Sequence, residues 1–252
     1  MLDRSFLFIV EGEADEPAFI KQMFQKCYPQ LLYKTYSYKT NLHILAKRLE
    51  EDYPDFVQDE TDIRLILRSY ENSKEQRDIL DGKYTDIFMI FDFEPQHNLP
   101  HFETIRSMLN YYSDSSSQGK LFINYPMMQS YKHFSALPDL EFYLTSVTSD
   151  EWSNYKEIVG KVSRFSDVSK YTYPTFVSIT AHHLMKANYI LTGLFVLPTK
   201  EQYEVWKLTE IFEKQVENKN QRSFVYVLNT CIFILVDYGP ISFFKLLKDL
   251  GA

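Results

Sequence analysis

The chain has 252 residues, 45% hydrophobic and 16% aromatic, with a formal net charge of −7. A chain this long can bury roughly three quarters of its unfolded surface, so it needs no covalent or metal staple; one large domain, or one domain with a helical extension, fits it. The acidic balance argues against a protein held on nucleic acid by bulk positive charge, but not against a nuclease whose carboxylates bind a cation that reverses the local sign. Cys27 and Cys231 lie far apart and belong to no CxxC or Cys/His cluster, which fits a reducing cytosol rather than a disulfide framework or structural zinc. The charged N-terminus carries no secretory signal pattern, and the longest apolar run, residues 224–236, is too short to span a bilayer. The expectation is a soluble, cytoplasmic protein with no membrane partner.

An apolar strand, Phe6 to Val10, opens the chain and ends on Glu11-Gly12. Glu13, Asp15 and Glu16 follow, and Pro17 suits the first turn of a helix that continues through Phe19, Ile20, Met23 and Phe24. Asp15 and Glu16 complement a helix N-terminus, and Glu13 and Glu16 read as solvated charges; Glu11 still belongs to the strand side of the turn. Residues 31–38 (LLYKTYSY) predict a second strand. Thr40 or Asn41 then caps a helix through Leu42, Leu45, Ala46 and Leu49, which Pro54 stops. Ile63 to Leu67 reads as a short strand and Ser73 to Leu80 as a brief helix.

Asp86 to Phe93 (DIFMIFDF) has the continuous apolar character of a buried parallel strand and ends in Asp92, with Glu94 two residues on. A helix over His101 to Tyr112, a polar loop over Asp114 to Gly119 and a strand over Leu121 to Asn124 complete a β-α alternation that implies a mainly parallel sheet flanked by helices. From about residue 145 the patterns turn helical, at Ala181 to Thr192, Glu201 to Val216, Ser223 to Asp237 and, after Gly239-Pro240, Ile241 to Leu250. The predicted division is therefore an α/β domain over residues 1–145 and a helical part over 146–252.

Two strands of a parallel sheet end on the same edge, so Glu11 and the Asp92/Glu94 pair are expected to face one another there. A D-x-E spacing on a strand puts both carboxylates on one face. Converging oxygen ligands with little His or Cys nearby suit Mg²⁺ or Mn²⁺, which works on phosphate by polarising it and activating water. Other features read as structural: His182 and His183 as helix residues, Tyr125 and Tyr131 as packing rings, and Lys156, Lys161, Arg164 and Lys170 as a solvated face.

VEGEAD and FDFE together resemble the signature of the TOPRIM family, a strand ending in Glu-Gly and a later strand ending in D-x-D, and the resemblance covers about residues 5–125. Within that superfamily the chain is most similar to the OLD-type and related small nucleases of bacterial phage defence. The resemblance implies that Glu11 is a ligand or general acid/base, that Asp15 is a second ligand, and that Asp92 and Glu94 hold the main ion. Two departures stand out: Glu94 replaces the family's Asp, and Gln129 stands where a third acidic element is expected, a role Glu141 could take. Lys132 and His133 are candidates to neutralise a phosphate in the transition state.

The function implied is a Mg²⁺- or Mn²⁺-dependent nuclease acting on DNA or on RNA such as tRNA, with Glu11, Asp92, Glu94 and Lys132 as its catalytic residues. OLD-type nucleases work with an ATPase of the ABC class, and this chain has no Walker motif, so the ATPase is expected to be a separate protein. The C-terminal apolar helices could make a homodimer or partner interface. A non-catalytic TOPRIM-like interaction subunit is the alternative. Primase-like nucleotidyl transfer is a third reading, disfavoured by the lack of a zinc module and a long basic groove.

Overall fold

In a computed structural model that describes residues 4–98 and 100–249, the chain divides into two compact units. The first comprises the N-terminal strand through Phe24, Tyr28–Asp92 and His97–Phe122; the second takes Gln25–Cys27, Phe93–Gln96 and the chain from Ile123 onward. The fold is α/β, with a mostly parallel five-stranded sheet flanked by helices.

The first unit runs β1 (Ser5–Val10), α1 (Asp15–Cys27), β2 (Leu32–Ser37), α2 (Leu42–Asp52), α3 (Ile63–Tyr70), α4 (Lys74–Leu80), β3 (Asp86–Asp92), α5 (Phe102–Tyr111), β4 (Ser113–Asp114) and β5 (Gly119–Asn124). The strand order is β2-β1-β3-β5-β4, with β4 antiparallel to β5. Strand β1 is central and parallel to both neighbours, Val10 lying beside Ser37 of β2 and Ile90 of β3. Its residues Phe6 to Val10 are all buried, as a strand covered on both faces requires. Phe8 stacks on Phe88 at 5.4 Å, and Phe24 of α1 meets Phe8 edge-on at 5.1 Å. Such ring pairs contribute about 0.5–1.5 kcal/mol each beyond their buried area. Gly119 opens β5 at φ +101°, where a side chain would press on Met89 and Ile87 of β3.

Asn41 caps α2 as expected, its side chain accepting the Ile44 N–H at 3.0 Å. The strand expected over Ile63 to Leu67 is instead helix α3. Asp62 accepts the Arg64 N–H at 2.8 Å, and Ile63, Ile66 and Leu67 supply the i, i+3, i+4 buried face while Leu65 is exposed. A run as short as IRLIL, four apolar residues with Arg64, does not distinguish the two periods, and here the cap decides.

The second unit contains β6 (Ser146–Thr148), α6 (Tyr155–Val162), α7 (Tyr173–Thr192), α8 (Lys200–Glu204), α9 (Leu208–Arg222), β7 (Phe224–Tyr226), α10 (Ile234–Tyr238) and α11 (Pro240–Asp249), with short 3-10 turns between them. Leu250, expected to end the last helix, lies outside the described residues. Two expected helices are corrected. Residues 201–216 divide between α8 and α9 around Trp206, and residues 223–237 begin as a strand. Ser223, at φ +57°, ends α9, and β7 then pairs antiparallel with β6. The buried Gln215 amide accepts the Tyr226 N–H at 2.9 Å and donates to its carbonyl at 3.0 Å, doing the work of a further strand.

Helix α7 starts at a Thr172/Thr175 capping box and ends at Gly193, φ +81°. Its fully buried Lys186 donates from Nζ to the carbonyls of Phe142, Tyr143 and Thr145 at 2.6–2.8 Å. Burial pulls that amine well below the ordinary lysine pKa, and the Asp139 charge opposes the shift. His182 Nε2 accepts the Asp139 N–H, and His183 Nδ1 accepts the Asn229 N–H. Both are core residues, as read from sequence. No helix among the described residues is long and apolar enough to cross a membrane.

His133 packs beside the buried Tyr155, its Nδ1 3.0 Å from the phenol oxygen, and burial lowers its pKa to about 4. The unfolded chain, at about 6.5, binds more protons between those values, so stability should fall as pH drops through that window. Urea unfolding is expected to lose up to about 3 kcal/mol between pH 7 and 4. His133→Gln should flatten that slope, and an unchanged slope in the variant would refute the assignment.

Candidate functional site

The carboxyl ends of β1, β2 and β3 converge because the three strands are parallel and in register. Glu11 continues the pairing one residue past β1. Its N–H donates to the Ile90 carbonyl at 3.2 Å, and its own carbonyl accepts the Lys39 N–H at 2.9 Å. Held by both neighbours, the half-buried Glu11 turns its side chain along the edge, where Oε2 accepts the Asp92 N–H at 3.2 Å. The structure therefore brings Glu11 and Asp92 together within the first unit, and Asp92 is half-buried as well.

The rest of the expected set is distributed differently. Asp15 is exposed at the first position of α1. Glu16, read as a solvated charge, is instead buried at 5% exposure, and a Cβ on Gly12 would sit 2.8 Å from its Oε2. The Glu-Gly step thus leaves room for the Glu16 carboxylate to fold back over the turn. Strand β3 stops at Asp92, and Glu94 has φ +45°, its N–H donating to the Pro126 carbonyl at 3.1 Å. Period-two alternation consequently does not extend from Asp92 to Glu94, which corrects the same-face argument for the D-x-E pair. Glu94 and Lys132 both belong to the second unit. Lys132 ends a 3-10 turn (Met128–Lys132), with Nζ 5.7 Å from the Tyr131 ring and its carbonyl accepting Ser163 Oγ. Gln129 is buried in that turn, and Glu141 is exposed.

Sequence reasoning missed three features of the edge. Lys39, at φ +64°, pairs with Glu13 at 2.7 Å, and this raises the ammonium pKa above its ordinary value. His43, in the first turn of α2, stacks on His97 at 4.3 Å. Glu16 closes over Gly12. A Glu-Gly step followed by Glu at the fourth position signals the last; lone residues far apart in the chain signal neither of the others.

Among the described residues no group of three or more His, Cys, Asp and Glu side chains is arranged to hold a metal ion. Glu11 and Asp92 supply oxygen donors alone, at a half-buried edge. Such a pair fits a cation such as Mg²⁺, which is typically held by one or two carboxylates with water and substrate phosphate completing its shell. It does not fit zinc, which takes nitrogen and sulfur ligands in a closed site. No protein-family model, no curated protein and no solved structure matches the chain.

Removing the Glu11 carboxylate should leave the Asp92 N–H without this acceptor. Glu11→Ala is expected to cost about 1 kcal/mol in urea unfolding, whereas Glu11→Gln, which keeps an acceptor oxygen, should cost about half of that or less. Equal losses would mean that the hydrogen bond is not what the side chain contributes.

Proposed function

We propose that the carboxyl edge of the parallel sheet is a TOPRIM-like site that hydrolyses phosphodiester bonds in DNA or RNA with Mg²⁺ or Mn²⁺. The observation that carries this reading is the Glu11 carboxylate hydrogen-bonded to the Asp92 amide, which joins the ends of two adjacent buried strands. Glu11 and Asp92 would hold the cation, with Asp15 as a further ligand that the resemblance names. When bound, the ion would polarise the phosphate and lower the pKa of an attending water. Glu11 itself would serve as a ligand of the ion or as general acid/base, and its hydrogen bond to the Asp92 amide supports a fixed direction for its carboxylate.

As the effector of a phage-defence system, such an enzyme would act in the cytoplasm under the control of a separate ABC-type ATPase, alone or as a homodimer. A second reading, the non-catalytic interaction subunit, has its own support. Glu11 already serves a structural hydrogen bond, and no three-ligand cluster is present among the described residues.

Cleavage of plasmid DNA, single-stranded DNA and total tRNA, with Mg²⁺ or Mn²⁺ and with EDTA, separates the two. Metal-dependent cutting that falls about a hundredfold or more in Glu11→Gln and Asp92→Asn is the expected result. Correctly folded wild type that cuts nothing, even with a copurifying ATPase present, would leave the interaction subunit as the better account.

A further inference from the structure

Lys39 occupies an unusual backbone position directly beside Glu11. At φ +64° it is a non-glycine residue in the left-handed region, and two consecutive inter-strand bonds hold it there: Tyr38 N–H to the Val10 carbonyl at 2.8 Å, and Lys39 N–H to the Glu11 carbonyl at 2.9 Å. Left-handed conformations of non-glycine residues cost on the order of 1 kcal/mol and concentrate at functional sites.

The side chain is as informative as the backbone. Its ammonium is more than half exposed, and it lies 2.7 Å from the carboxylate of Glu13, which is exposed to a similar degree. An exposed ion pair of this kind contributes only about 0–1 kcal/mol, so a stronger anion can replace the carboxylate at little cost. On the next helix, Arg48 is committed elsewhere and Lys47 pairs with Glu51. Arg48 donates to the Tyr38 hydroxyl at 2.8 Å and lies over the Tyr70 ring at 4.5 Å. Lys39 is thus a weakly engaged positive charge held by the backbone of the residue that the proposed reaction depends on.

We infer that Lys39 is a phosphate-positioning residue of this edge, and that a nucleic-acid phosphate replaces Glu13 as the partner of its ammonium. The inference rests on the phosphodiester reading of the same edge. Glu13 is the resting partner that keeps the lysine neutralised between substrates. A positive charge here also meets the difficulty of bringing a polyanion to carboxylates on a protein of net charge −7.

The test measures binding of labelled oligothymidylate and oligouridylate by fluorescence anisotropy in EDTA, across a salt series. Lys47 and Glu51, an exposed pair 3.6 Å apart on α2, provide charge-matched controls. Lys39→Ala should weaken binding roughly three- to tenfold at low salt and lower the slope of log K against log salt by about 0.7, while Lys39→Arg retains both. Glu13→Gln should tighten binding, and the Lys39→Ala/Glu13→Gln double variant should bind no better than Lys39→Ala. Failure of wild type to bind either strand would overturn the inference. So would Lys39→Ala behaving like Lys47→Ala, together with Glu13→Gln behaving like Glu51→Gln.

Cleavage by the same preparations keeps the two claims apart. Lys39-dependent binding without metal-dependent cleavage, even with a copurifying ATPase present, would refute hydrolysis and leave the phosphate contact standing. Cleavage with the KM of Lys39→Ala unchanged would refute the contact and leave hydrolysis standing. A raised KM at unchanged kcat is the expected result.

Discussion

Parallel pairing of β1 with both β2 and β3 is the constraint on which the candidate site depends. Because Val10 lies beside Ser37 and Ile90, Glu11 emerges within hydrogen-bond reach of Ile90 and Asp92 on β3 and of Lys39 just past β2. Glu11 bonds through its N–H to β3 and through its carbonyl to Lys39, so its position is fixed by the sheet and not by a loop. Shifting either register by one residue would turn each side chain of the shifted strand to the opposite face of the sheet and break ring contacts such as the Phe8–Phe88 stack. The rings of Phe8, Phe24 and Phe88 thereby hold the carboxylates in place at a distance, and the acidic edge needs no cluster of mutual contacts to exist.

The second unit solves a different problem. Its buried polar groups are matched among themselves: Lys186 with three carbonyls, Gln215 with both backbone groups of Tyr226, and Asn229 with the Met128 carbonyl and Ser130 Oγ. Two of these pairings tie segments far apart in the chain, Lys186 reaching back more than 40 residues and Asn229 about 100. Buried polar groups satisfied in this way specify a single arrangement of the core. The adjacent histidines of α7 belong to the same set of matched groups. One receives a backbone N–H from Asp139 and the other from Asn229.

How much of this is legible in the sequence follows from how local the signal is. The runs FLFIV and DIFMIFD announce buried strands, and Asn41 announces a helix start through its own cap; these need no tertiary partner to be read. Residues 63–67 mislead because four apolar residues around Arg64 satisfy both periods, and the Asp62 cap resolves them only when weighed with the spacing of Ile63, Ile66 and Leu67. Phe224–Tyr226 becomes a strand through pairing with Ser146–Thr148, nearly 80 residues earlier, and no local pattern reports that. At the site, Glu11 and Asp92 follow from strand ends and parallel topology alone. Glu94 breaks the inference because the chain enters a left-handed turn there, and Lys39 and Glu16 are set by side-chain packing that spacing does not encode.

The account's central claim is that the two strand-end carboxylates together form a divalent-cation site. Titration of Mn²⁺ into the folded protein, followed by electron paramagnetic resonance of the free ion, reads that site without requiring a substrate or a partner. The prediction is saturable binding in the wild type that weakens about tenfold or more in both Glu11→Gln and Asp92→Asn, with Mg²⁺ competing for the same site. Binding of equal strength in all three proteins, or none in the wild type, would contradict it.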